Sequence, residues 1–332
     1  IYTDFSLRDA FEIMEYDHLS RLGQGPFEHD VKSCEIWLGE KLDKTTLHDI
    51  KPFLHIFLTS EDISNLAYKV MFAEATNELF VPAISQITER LAELSREYAA
   101  SPVMARTHLQ PASPTTFGKI FATYLSRIVE GMERLRNTKL IGKVNGAVGN
   151  YNAFVAAYGD LDWIWYSKNL CARMSLGVNL LTDQRGPHND KIRVLEAMQE
   201  IGSVARDIAQ DLSIYAGLKT IYFSKVESHV GSSVMPHKIN PWFAEVAEGN
   251  IKKANALINV MANELDVSRT QRDLSDHDFE RSYGEVVGYL LVALDHLSIA
   301  LGLIRPDTVY AEKEIAQNPL ILTESIQTIL RK

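Results

Sequence analysis

The stretch VLEAMQEIGSVARDIAQDLSIY, residues 194–215, decides the fold class. Val194, Met198, Ile201, Ala205, Ile208, Leu212 and Tyr215 follow one another at alternating steps of four and three, so they lie on one stripe of an α-helix. A stripe held for six intervals predicts a long rod packed against several partners. Four more rods follow from the same spacing. They carry Ile84, Ile87, Leu91, Leu94 and Tyr98; Phe121, Leu125, Ile128, Met132 and Leu135; Ala247, Ile251, Ala254, Ile258, Met261 and Leu265; and Val287, Leu290, Leu294, Leu297, Leu301 and Ile304. No period-2 alternation of useful length competes with them, so the expected class is all-α, a long-helix bundle. Residues 1–58 break the pattern with shorter segments and turns such as LGQGP, and are expected to form a small helical N-terminal part ahead of a bundle over 59–332.

The chain has 332 residues, 46% hydrophobic and 23% charged, an ordinary globular balance. A formal net charge of −9 argues against a nucleic-acid partner, while leaving room for a local basic pocket. No uninterrupted run of about 18 apolar residues or signal leader is read, so no membrane partner is expected. Cys34 and Cys171 are far apart and lack metal-ligand spacing; a reducing, cytoplasmic setting is the expectation. Stripes this long favour tiling against copies of the same chain, so a homo-oligomer is expected. In IGKVNGAVGNYN (141–152), Gly149 and its neighbours are expected to let backbone come close to another segment.

Between the third and fourth rods stands GSSVMPHKINP, residues 231–241. On its residues alone it reads as a surface loop, or as an anion site where Lys238, Asn240 and backbone N–H groups meet a helix N-terminus begun by Pro241. Such positive surroundings would also ease deprotonation of Ser232. Thr59 and Ser60, followed by Glu61 and Asp62, read as a plain helix cap. His108 and Glu245 read locally as a structural histidine and a solvated helix face.

GSSVMPHKINP resembles the GSSxMPxKxNP signature of the fumarase/aspartase superfamily. EHDVKSCE (28–35), HIFLTSEDISN (55–65), ARTHLQPASPTTFGK (105–119), NGAVGNYNA (145–153) and SRTQRDLSD (268–276) are similar to adenylosuccinate lyases of the bacterial type. The likeness runs from about residue 28 onward, with the first domain and the C-terminal domain expected to be short or largely absent. It implies elimination of fumarate from adenylosuccinate, giving AMP, and from the succinyl-carboxamide ribotide of purine biosynthesis, with no cofactor and no metal. The succinylated nucleotide is then the small-molecule partner. By the same resemblance Ser232 is the base, His108 the acid, Glu245 the partner of His108, and Lys238 a stabiliser of the doubly charged aci-carboxylate. It assigns the succinyl carboxylates to Thr59 and Ser60, the nucleotide end to His29 and His55, a substrate amide to Gln184, and the phosphate region to Arg272, His277 and Arg281. Thr107, Ser233, Met235 and Asn240 complete the substrate contacts it implies.

Two positions depart from that pattern. The histidine ending GNYNAH in bacterial members, assigned there as general acid, is Phe154, and the phosphate-contacting serine is His277. These leave open a related lyase with a different amine, or a weakened or non-catalytic member. Finally, the motifs lie on different rods, so residues from neighbouring chains are expected to complete each site, in a tetramer.

Overall fold

A computed structural model describes residues 7–14, 30–225, 235 and 237–332, apart from the side chains of residues 7, 8, 11 and 14. The chain forms two compact units. Unit 1 comprises Ile1–Met71, Lys139–His188 and Ser268–Leu274, and unit 2 comprises Phe72–Thr138, Asn189–Val267 and Ser275–Lys332. This division differs from the one expected at residue 58: unit 1 runs on to Met71 and recruits two later stretches.

Unit 2 is the bundle. Its five long helices are Val81–Glu97, Phe117–Asn137, Asn189–Gly217, Trp242–Glu264 and Tyr283–Leu303. Every stripe predicted from spacing supplies core: Ile84, Ile87, Leu91, Phe121, Ile128, Met198, Ile201, Ile208, Ile251, Ile258, Leu290 and Leu297 are all at most 1% exposed. At about 1.5–3 kcal/mol for each large side chain taken out of water, these stripes dominate the unit's stability. The helices close into a ring in which Trp242–Glu264 packs on Asn189–Gly217 and Tyr283–Leu303, and Val81–Glu97 joins Tyr283–Leu303 to Phe117–Asn137.

Polar contacts between the rods fix their directions. Tyr124 and Arg127 reach Asp211 and Asp207 while Arg134 reaches Glu200, so Phe117–Asn137 and Asn189–Gly217 are antiparallel. Gln199 bonds Asn259 and Gln210 bonds Glu248, so Trp242–Glu264 turns back again. Phe243 packs on His296 and Lys253 lies over Tyr289, which makes Tyr283–Leu303 antiparallel to that helix in turn. Residues 275–303 are long and apolar enough, on composition, to cross a membrane. The core helix of a bundle meets the same description, and Val286, Leu290, Leu294, Leu297 and Leu301 of this one are buried in the ring.

One element was not expected. β1 (Pro102–Thr107) and β2 (Gln110–Thr116) form an antiparallel hairpin between the first two rods, with an irregularity between Met104 and Arg106. It escapes the period-2 test because Pro102, Pro111 and Pro114 interrupt it, which a two-stranded ribbon with both edges free tolerates. Among the described residues the other pairings, β3 (Ile141–Gly142) with β4 (Gly177–Val178) and β5 (Ile221–Phe223) with β6 (Ile304–Pro306), span two or three residues each.

Unit 1 has a small apolar cluster of Leu66, Val144, Cys171 and Leu176. Beside it, residues 143–149 fold closely onto other backbone. Gly149 has φ +78°, and a Cβ there would lie 1.9 Å from the Thr182 carbonyl oxygen, so the expected close approach is to residues 182–183.

Candidate active site

Three of the residues singled out from the sequence, His29, Ser232 and Ser233, lie outside the described residues. The others fall into three groups, two in unit 2 and one in unit 1.

The first group sits at one end of the bundle. Thr107 is paired with Gln110, so His108 and Leu109 are the two central residues of the hairpin turn, with φ of 54° and 62°. A two-residue turn of this kind needs left-handed backbone at both positions, which Asn-Gly supplies at little cost. Here an imidazole and an isobutyl group occupy them at a cost of order 1–3 kcal/mol each, and strain of that kind concentrates at functional sites. The Arg106 guanidinium on β1 holds the Glu314 carboxylate at 2.5 Å, both side chains 14% exposed, which ties the hairpin to the Thr308–Gln317 helix. His108 is thereby presented at the exposed tip of an anchored stem.

The Trp242–Glu264 helix begins at the same end, because the hairpin joins the end of Val81–Glu97 to the start of Phe117–Asn137 and successive rods alternate in direction. Pro241 is its N-cap, one residue before the expected position inside the helix. The Lys238 amide bonds the Met235 carbonyl at 3.0 Å; Met235, Lys238 and Glu245 are exposed and Asn240 is half-buried. His108, Thr107, Met235, Lys238, Asn240 and Glu245 thus share one end of unit 2.

His277 and Arg281 form the second group, at the opposite end. His277 lies in the Ser275–Glu280 helix, and Arg281 pairs with Asp278 at 3.4 Å. This segment is held by Lys191, whose ammonium meets the Glu280 carboxylate with both side chains at most 1% exposed and lies 5.6 Å from the Tyr283 ring centre. The helix that starts here, Tyr283–Leu303, has 21 residues, and at 1.5 Å per residue it is about 31 Å long. Within one chain His277 and Arg281 are therefore a helix length away from His108, Lys238 and Glu245, whereas Arg272, assigned with them to the phosphate, belongs to unit 1.

The third group belongs to unit 1. Helix Ser60–Glu74 starts just after Thr59, whose backbone N–H donates to Asp62 Oδ2 at 2.9 Å, the carboxylate half of a capping box, while the Asp62 amide returns to the Thr59 carbonyl at 2.9 Å. Arg272 places Nη1 3.2 Å from Glu61 Oε2, so it stands beside Thr59 and Ser60. Asn145 Nδ2 bonds Thr182 Oγ1 at 2.8 Å, which anchors the segment bearing the half-buried Gln184. His55 has φ 57° and lies 3.4 Å from Glu35 Oε2 through Nδ1. The structure thus gathers Thr59, Ser60 and Arg272, and pins the Gln184 segment to the 145–149 loop.

Sequence reading missed the polar centre under this helix start. Asp62 and Lys143 are fully buried and pair at 2.7 Å, and Asn65 hydrogen-bonds the Lys143 backbone on both sides. Burial pushes the Lys143 ammonium pKa down, while Asp62 opposes that shift. The available signal was a lysine inside the apolar run LIGKV.

Phe154, at the departure from the family pattern, is 5% exposed. Its ring centre lies 5.3 Å from that of Phe57, 5.4 Å from Tyr151 and 5.1 Å from Trp163. The position is a packed aromatic wall with no proton to give.

Comparison with known proteins bears on the family, and finds the likeness from residue 3 rather than from about residue 28. A family model described as lyase matches residues 3–258, and one described as adenylosuccinate lyase C-terminal matches residues 268–332. The adenylosuccinate lyase of Haemophilus influenzae is 34% identical over 333 residues, covering 100% of this chain and 72% of that protein. The chain belongs to the adenylosuccinate lyase family. The Legionella pneumophila and Escherichia coli members are 35% and 33% identical over the same span, each with 72% of its length covered. Among solved structures, the 3-carboxy-cis,cis-muconate lactonizing enzyme of Pseudomonas putida superposes with a TM-score of 0.77 at 17% identity, covering 96% of this chain and 70% of that one. That likeness concerns the fold, and places the adenylosuccinate lyase family bundle among related helical folds.

Proposed function

We propose that the chain is a carbon–nitrogen lyase that eliminates fumarate from adenylosuccinate and from the succinyl-carboxamide ribotide of purine biosynthesis. Its similarity to adenylosuccinate lyases along the whole chain carries this reading. Loss of the proton alpha to a carboxylate builds a dianionic aci-carboxylate, so the reaction needs cations and N–H donors where that charge grows. In this reading Ser232 takes the proton, Lys238 and Asn240 receive the charge, and Thr59 and Ser60 hold the carboxylates. Glu245 orients the His108 imidazole, which protonates the departing nitrogen in the absence of any acid at Phe154. Replacing Ser232 by Ala abolishes fumarate release from adenylosuccinate; a wild type that releases none, behaving like that variant, refutes the lyase.

The site is completed by neighbouring copies. Support comes from unit 2 alone, where His108, Lys238 and Glu245 occupy one end and His277 and Arg281 the other. A single nucleotide cannot span a helix length of about 31 Å, so the two sets act together only when another chain brings its opposite end alongside. Mixing His108→Ala and Arg281→Ala proteins, one defect in each set, restores part of the activity, and a mixture that stays inactive refutes sharing. A different amine half is the second reading, favoured by the aromatic wall at Phe154; it requires turnover of another succinylated amine in preference to adenylosuccinate. Two free thiols, Cys34 and Cys171, favour a reducing compartment and hence the cytoplasm.

A further inference from the structure

We propose that the buried Lys143–Asp62 pair is a positioning device for carboxylate recognition. Asp62 ties the Thr59–Ser60 helix start to the 145–149 loop, and Lys143, together with Arg272, cancels the two negative charges that Glu61 and Asp62 bring there. The proposal rests on the lyase reading, which assigns the substrate's carboxylates to Thr59 and Ser60.

The carboxylate of a capping box accepts one N–H, and Asp62 accepts several. Oδ2 takes the Thr59 amide at 2.9 Å and the Gly146 amide at 3.1 Å, while Oδ1 takes the Asn145 amide at 3.1 Å and Lys143 Nζ at 2.7 Å. Lys143 Nζ donates on to the Gly146 carbonyl at 2.7 Å. One carboxylate, 0% exposed, therefore fixes two segments 81 residues or more apart along the chain. As a purely structural solution this is costly, because an apolar pair of similar volume usually serves stability as well or better.

Charge supplies the reason. A helix N-terminus attracts anions, but Ser60 is followed by Glu61 and Asp62, 4% and 0% exposed, whose fields would repel an incoming dicarboxylate. Lys143 lies on Asp62 and Arg272 on Glu61, each within 3.2 Å. The four charges sum to zero, and the helix start keeps its attraction for a carboxylate. Removing Lys143 leaves the Thr59–Ser60 turn beside an uncompensated negative charge.

The test compares inhibition of adenylosuccinate cleavage by fumarate, which probes the carboxylate end, with inhibition by AMP, which probes the nucleotide end. In Lys143→Met, fumarate inhibition weakens by about tenfold or more and KM rises, while AMP inhibition stays within about twofold and kcat changes less than KM. Asp62→Asn/Lys143→Met, again neutral as a pair, recovers much of the lost fumarate affinity. Lys143→Arg keeps the charge and retains fumarate affinity near wild type even if it melts lower, which covers the case in which the methionine variant does not fold. Equal weakening by both inhibitors, a double variant no better than Lys143→Met, or an arginine variant as impaired as methionine overturns the role of Lys143 while fumarate release by the wild type still stands. A wild type that releases no fumarate overturns the lyase reading itself.

Discussion

Phe154→His puts an imidazole where the resemblance to bacterial adenylosuccinate lyases implies one, and the structure predicts that it fails as a repair. The phenyl ring is 5% exposed and makes three ring contacts at 5.1–5.4 Å. Each such contact contributes about 0.5–1.5 kcal/mol beyond area burial, and a smaller, polar ring loses roughly half of that total. Burying imidazole nitrogens without built partners adds about 1–3 kcal/mol. The net cost is about 2–5 kcal/mol, or a fall of roughly 4–20 °C in the transition that unfolds unit 1. Melting followed by tryptophan fluorescence reports it, since Trp163 belongs to the cluster. Fumarate release measures the chemistry: kcat does not rise, and Phe154→His leaves His108→Ala inactive. An unchanged melting temperature with a tenfold gain in kcat, or rescue of His108→Ala, would refute both the packed wall and the assignment of the acid to His108.

Other outcomes follow from single contacts. Lys191→Met strands the buried Glu280 carboxylate and costs about 3–5 kcal/mol by urea denaturation, whereas Lys191→Met/Glu280→Gln recovers most of it; additive losses would deny that the two side chains act as a pair. Gly149→Ala forces a Cβ to 1.9 Å from the Thr182 carbonyl oxygen at φ +78° and sharply lowers the melting temperature, while Gly288→Ala, in open space on its helix, raises stability by about 0.5–1 kcal/mol. Burial chiefly, and then Asp207, hold the Asp211 carboxyl pKa above its ordinary value, against the hydrogen bond from Tyr124 and the charge of Arg127. Folding therefore binds that proton more tightly: its stabilising contribution is full below the unfolded pKa of about 3.9 and is lost as pH rises through the higher folded value. Asp211→Asn, which keeps an acceptor for Tyr124, is accordingly more stable than wild type at pH 7, with the gap closing toward pH 3. A constant gap across that range would contradict the burial account.

The bundle was legible in the sequence because a 3.6-residue period is a local property, and all five stripes form core where spacing put them. The hairpin was not, because its turn uses His108 and Leu109 where a readable turn would show Asn-Gly, and prolines hide the strand alternation. Motif letters pointed to Thr59, Ser60 and Arg272, and geometry brings these together through Glu61. Nothing in the order of residues announces that Asp62 meets Lys143, since an ion pair between distant positions has no periodicity. Phe154 was visible as a departure, yet its meaning as a wall needed Phe57, Tyr151 and Trp163 around it. The separation of His277 from His108 became visible only once alternating rod directions were known.

Unit 1 is assembled from three separated stretches of chain, and this sets an order of events during synthesis. Glu61 leaves the ribosome roughly 10–40 s before Arg272 at ordinary elongation rates, and Lys143 arrives between them. Until Arg272 follows, the acid-rich helix start is one positive charge short of balance, so this part of the protein cannot reach its final form on the first 271 residues alone. A polypeptide halted before residue 272 would retain most of the bundle's apolar stripes and still leave a nearly water-free glutamate without the guanidinium it meets in the finished fold.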